Sequence, residues 1–130
     1  MLPGTSRAAD RFVRASFYIN AIPKTADSRQ AISSAFSVIR NVSVPLGITT
    51  PGQPNIASTL WRTVADHKNR RYYFESTTAP NVFWVDLEDL NFRTGAPVKR
   101  LALTGDTIYA GNVAKAFTAA EPFTFLVAHV

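Results

Sequence analysis

Apolar positions in the first third of the chain repeat at helical spacing. Ala8, Phe12, Ala15 and Ile19 recur every three or four residues, and Val13 and Phe17 widen the stripe. Thr5 or Ser6 offers a hydroxyl oxygen to the free amides of a first turn, and Asp10 lies where the helix dipole favours a negative charge. The helix should end near Asn20, because Ile22 precedes Pro23 and a residue before proline avoids helical angles. A second stripe, Ile32, Ala35, Phe36 and Ile39, predicts another helix. Thr25 or Asp27 can cap it, and it should stop between Asn41 and Val44, before Pro45. Two successive amphipathic helices make one helical layer with one apolar side.

The pattern then changes period. Residues 44–55, VPLGITTPGQPN, hold three prolines and two glycines and cannot form a regular element. A loop of that length often carries function. From Leu60 to Asp86 the residues are those of short strands: Leu60–Ala65, Arg71–Ser76 and Val82–Val85, rich in Val, Thr, Tyr, Phe and Trp. Asp66–Arg70 and Thr77–Asn81 supply the turns between them. Val82-Phe83-Trp84-Val85 is apolar at every position, and side chains alternate faces along a strand. The sheet therefore needs cover on both faces. Two helices can blanket one; the other, with Trp61 and part of Tyr72–Phe74, would lie open as an interface. Further on, Leu87–Ala96 reads as a corner, Val98–Leu103 as a weak strand and Thr107–Val113 as ambiguous. Phe123, Phe125, Leu126 and Val127 suggest a docked tail.

At 130 residues the chain suits a single domain, residues 1–130, of α+β class. No apolar run approaches the ~20 residues of a membrane span, and the start, MLPGTSRAADR, shows no signal-peptide pattern. Cysteine is absent, which removes disulfides, thiolate metal sites and a cysteine nucleophile from these residues. The net charge of +5 comes from scattered Lys and Arg, clustered only at Lys68–Arg71, so neither nucleic acid nor membrane is the expected partner.

Candidate chemistry is sparse. His67 and His129 lie far apart with no metal-ligand spacing, so no metal or cofactor residues are expected. A triad of Ser58, Asp66 and His67 is disfavoured, since the last two are neighbours in a strand-turn corner and point apart. Glu75 and Asp86 should face solvent or meet Arg62 or Arg71 across the sheet. Trp61, Tyr72, Tyr73, Phe83 and Trp84 suit a core better than a base-stacking surface. Arg11 is singled out because it sits early in a helix beside Phe12, where a desolvated guanidinium must find an anion. On composition alone a surface arginine like Arg7 or Arg14 is the better reading.

Leu2-Pro3-Gly4 followed by Arg11-Phe12-Val13-Arg14-Ala15 resembles the LPG…RFVRA segment of the choloylglycine hydrolase and penicillin V acylase family. Asn41–Pro45, the run WRTVADHKNRRYYFEST and then NVFWVDL resemble its Gram-negative branch. The resemblance reaches Phe123 and implies the C-terminal portion of an αββα amino-terminal-nucleophile sandwich: two helices packed on an antiparallel sheet, with the second sheet layer missing. It implies a hydrolase of linear C–N amides, acting on acyl-amide small molecules through an amino-terminal cysteine. This chain has no cysteine and is expected to be inactive alone. Asp10 stands where serine is common in the motif. Arg11 is the family active-site residue that carries over, implied to approach the cysteine and the substrate carbonyl. The implied partners are a missing N-terminal half or a second copy bound through the open sheet face, and the parent enzyme would be periplasmic. The alternative is a stand-alone remnant, non-catalytic, that binds or self-associates.

Overall fold

The computed structural model describes residues 1–48, 52 and 58–126. Part of the 44–55 loop, Val127 and His129 lie outside them. Two helices, α1 (Ala8–Ala21) and α2 (Ser28–Asn41), precede a meander of β1 (Trp61–Asp66), β2 (Arg71–Ser76) and β3 (Val82–Asp86). Two short strands, β4 (Lys99–Arg100) and β6 (Thr118–Ala119), pair with each other. Between them in sequence, β5 (Gly111–Asn112) joins β3 in parallel, giving the main sheet the order β1-β2-β3-β5. The α+β class stands: two helices and a mainly antiparallel sheet.

Local chemistry accounts for these bounds. Asp27 caps α2, its carboxylate accepting from the Arg29 and Gln30 amides. The first helix lacks a side-chain cap; Thr5 instead accepts from the Arg7 amide and donates to Asp10. At the first hairpin Asp66 accepts from the Asn69 amide, and Arg70 takes a left-handed φ of 51°.

Register fixes two unlike sheet faces. Arg62 opposes Glu75, Val64 opposes Tyr73, and Tyr73 in turn opposes Trp84 on the face toward α2. Phe36 of α2 meets Tyr73 edge-on, and Tyr73 meets Trp84, with ring centroids 6.2 and 5.7 Å apart. On the reverse face Phe74 stacks directly on Phe83 at 5.2 Å. That face is not wholly bare, as its sequence suggested. Tyr109 packs on Phe83, and Leu101, Leu103, Val113 and Phe117 close a cavity of about 180 Å³ over Tyr72, Phe74, Phe83 and Val85. These residues flank the short β4–β6 ladder, so the cover is an irregular segment. The β1 edge stays open, with Trp61 58% exposed.

Three further expectations fail. The α1 stripe does not face inward: Phe12 is 73% exposed and Ile19 67%, while Arg11, Ala15 and Tyr18 are half-buried. The described residues give this stripe nothing to pack on. The expected docked tail does not dock, since Phe123, Phe125 and Leu126 are all exposed. The strand expected over Val98–Leu103 shrinks to Lys99–Arg100, because the apolar residues beyond it turn to the cavity instead.

Candidate functional site

The C-terminal end of α2 gathers the charged side chains. A helix ends with backbone carbonyls that lack intrahelical partners, carrying partial negative charge. Here several of them find donors. The Val42 amide donates to the Val38 carbonyl and the Ser43 amide to that of Arg40, both at 3.2 Å. The Ser43 hydroxyl donates to the Ile39 carbonyl at 2.7 Å. The Val42 carbonyl accepts from Arg11 Nε at 2.6 Å, tying α1 to α2. Arg11 is half-buried, and among the described residues its two terminal Nη groups make no hydrogen bond or ion pair. A planar guanidinium anchored at Nε presents two paired donors to whatever approaches, a geometry suited to a carboxylate, thiolate or developing oxyanion. Among the described residues Asp10 makes no ion pair with it, and that carboxylate accepts from Thr5.

Arg14, three residues on, turns the other way. Its Nη1 donates to the carbonyls of Pro3 and Thr5, both at 2.8 Å, and holds the Leu2-Pro3-Gly4 lead-in against α1. The two arginines of the RFVRA segment thus have different tasks, which their spacing alone did not reveal.

Beside the α2 end lies Glu75, 7% exposed on β2. Arg40 grips its carboxylate through Nε and Nη2 at 3.0 and 2.6 Å, and Arg62 Nη1 reaches it at 3.1 Å. Burial pushes this carboxyl up, but the hydrogen bonds and charges of Arg40 and then Arg62 outweigh that and hold it below its usual range. Arg62 Nε also donates to the Ser43 hydroxyl at 2.8 Å. At the far end of the sheet Arg71 pairs with Asp86 across β2 and β3, and its guanidinium lies 5.3 Å from the Trp84 ring. Of the two outcomes expected for these carboxylates, solvent or an arginine across the sheet, both take the second: Glu75 meets Arg62 and Asp86 meets Arg71. Asp66 is held below the ordinary carboxylate range by the Asn69 side chain and backbone. It belongs to the turn and forms no triad with His67 and Ser58. Arg40 and Ser43 were not anticipated; their only signal was Arg40 in the last turn of a helix opposite adjacent strands bearing Arg62 and Glu75.

Comparison with known proteins follows this geometry. The model for linear amide C–N hydrolases of the choloylglycine hydrolase family matches residues 1–101. A penicillin V acylase from Pectobacterium atrosepticum is 50% identical over 96% of this chain and 37% of its own length. The structure of penicillin V acylase from Agrobacterium tumefaciens superposes with a TM-score of 0.89 at 57% identity, covering 97% of this chain and 41% of that one. This chain thus spans about two fifths of the relatives it matches. Arg11, Arg14, Glu75 and the α2 end all fall within the matched span. The chain belongs to the choloylglycine hydrolase family of linear amide C–N hydrolases.

Proposed function

We propose that this chain serves as the C-terminal portion of a linear-amide hydrolase, with Arg11 at the reacting end and a cysteine-led N-terminal portion completing the site. The observation that carries the reading is the Arg11 guanidinium, fixed at Nε to the Val42 carbonyl with its Nη groups free among the described residues. Amide hydrolysis needs a nucleophile and a group that meets the oxyanion of the tetrahedral intermediate. These 130 residues contain no cysteine, and in this reading the nucleophile belongs to the N-terminal portion. Arg11 supplies fixed positive charge for the thiolate or for the carbonyl oxygen as it takes up electrons. Resemblance to the penicillin V acylases makes acyl amides of that kind the substrate class, and a periplasmic setting accompanies it.

The test joins or mixes this chain with the cysteine-led portion of the Agrobacterium acylase and follows release of the side-chain acid from penicillin V. The chain alone should show no turnover above buffer, and the joined protein should turn over. Arg11→Ala should then lower kcat/KM about 10²-fold. Turnover by the chain alone, or a stoichiometric complex that stays silent, would overturn the reading. A second reading, a self-associating binding module, is favoured by the exposed stripe of α1 and by Trp61 at the open sheet edge.

A further inference from the structure

We propose that Ser43, held through Arg62 by Glu75, is a positioning residue that aims Arg11. The inference rests on the reading of Arg11 given above, but the physical link stands on its own geometry. Arg11 has one anchor, the Val42 carbonyl at 2.6 Å. Val42 is the C-cap of α2, with φ −99° and ψ 7°, outside the regular helix. Its carbonyl direction is therefore set by what holds the next two residues.

Those residues are held on both sides. The Ser43 hydroxyl donates to the Ile39 carbonyl at 2.7 Å and accepts from Arg62 Nε at 2.8 Å, which uses the hydroxyl as a hinge pin between helix and sheet. Arg62 cannot swing away, because its Nη1 is bound at 3.1 Å to Glu75, its direct cross-strand neighbour. Val44, 2% exposed, is pinned on both backbone groups: its amide donates to Thr59 Oγ1 and its carbonyl accepts from the Thr59 amide, each at 3.0 Å. Arg40 ties the last turn of α2 to Glu75 from before the C-cap, and the Ser43 arm reaches the same carboxylate through Arg62 from beyond it. A rigid sheet thus sets the helix end, and the helix end sets the arginine.

Two further features agree. Glu75 is the buried charged residue of the described chain, yet it lies on the sheet and lends nothing to Arg11 directly. And Arg11 forms no ion pair that would fix its plane by itself among the described residues. An arginine with one anchor transmits any tilt of that anchor to its Nη groups, and misplacement by an ångström can cost ~10²-fold in rate.

The test has two arms. In the chain itself, the side-chain Nε–H resonance of Arg11 is followed by 1H–15N NMR. It should be protected from exchange in the native chain, lose that protection about tenfold or more in Ser43→Ala, and keep it in Ser43→Thr, which retains the hydroxyl. In the joined enzyme, Ser43→Ala should lower kcat about tenfold with KM nearly unchanged, again with rescue by Ser43→Thr. Far-UV circular dichroism confirms that α2 is intact in each variant. Unchanged protection of Arg11 Nε–H in a folded Ser43→Ala chain overturns the proposal. Protection lost as expected while every joined enzyme stays silent overturns the acylase reading and leaves the positioning link standing.

Discussion

A carboxylate taken out of water survives in the folded chain only with its charge matched, and Glu75 is matched twice. Arg40 keeps half of its side chain in solvent, whereas Arg62 is only 16% exposed. Glu75→Gln should therefore cost about 2 kcal/mol, below the ~3–5 kcal/mol of a fully buried pair, because water screens the Arg40 side. The pH dependence follows in sign. The folded carboxyl lies below its ordinary value of 4.5, so this contribution is complete above that value and is lost as acid protonates the folded form. The urea midpoint should fall as pH drops below about 4.5, and that fall should be shallower in Glu75→Gln. Cross-strand pairing made the Glu75–Arg62 contact legible beforehand, since both lie at alternating positions of adjacent strands. The Arg40 grip was not legible, because it depends on where α2 crosses the sheet. Arg11 was singled out by its motif, and its anchor on Val42 is a helix–helix contact that no local pattern encodes.

The elements themselves were read well where turn and cap chemistry is local. Asp27 and the residue-before-proline rule delimit α2, and Asp66 with Asn69 delimits the first hairpin. Asp27→Ala leaves the Arg29 and Gln30 amides without their acceptor and should destabilise the chain by about 1 kcal/mol, read as a lower urea midpoint with an unchanged slope. For α1 the periodicity gave the helix and not its orientation. Its stripe is real, yet Arg11, Ala15 and Tyr18 turn toward the body and Phe12, Phe17 and Ile19 turn away. An apolar stripe says that one side of a helix wants cover, and the partner decides which side receives it. The short strands β5 and β6 were beyond reach for another reason: two residues carry no period.

At the scale of the molecule the surface is too large for the mass. A compact monomer of 14.3 kDa exposes about 6,800 Å², and this chain exposes 10356 Å². The excess is apolar in part, on α1 and at the open β1 edge. If that surface awaits a partner, the double variant Phe12→Ser with Phe17→Ser should weaken self-association of the isolated chain in sedimentation velocity. It should also lower affinity for an added cysteine-led portion, by about tenfold or more if both rings are anchors. Val82–Val85 showed that both sheet faces need cover, but the second face is covered by residues of this chain, and the exposed stripe on α1 was not foreseen because it looked like core. The parallel contact of β5 with β3 carries a last consequence, about time. The β1–β2 hairpin closes over residues 67–70, whereas Gly111 meets Phe83 only after residues 87–110 have looped back. That loop is about sixfold longer and costs about 1.6 kcal/mol more in closure entropy. Helices and meander can thus form before Gly111 loops back, and the β3 edge then waits, unpaired, for the strand that seals it.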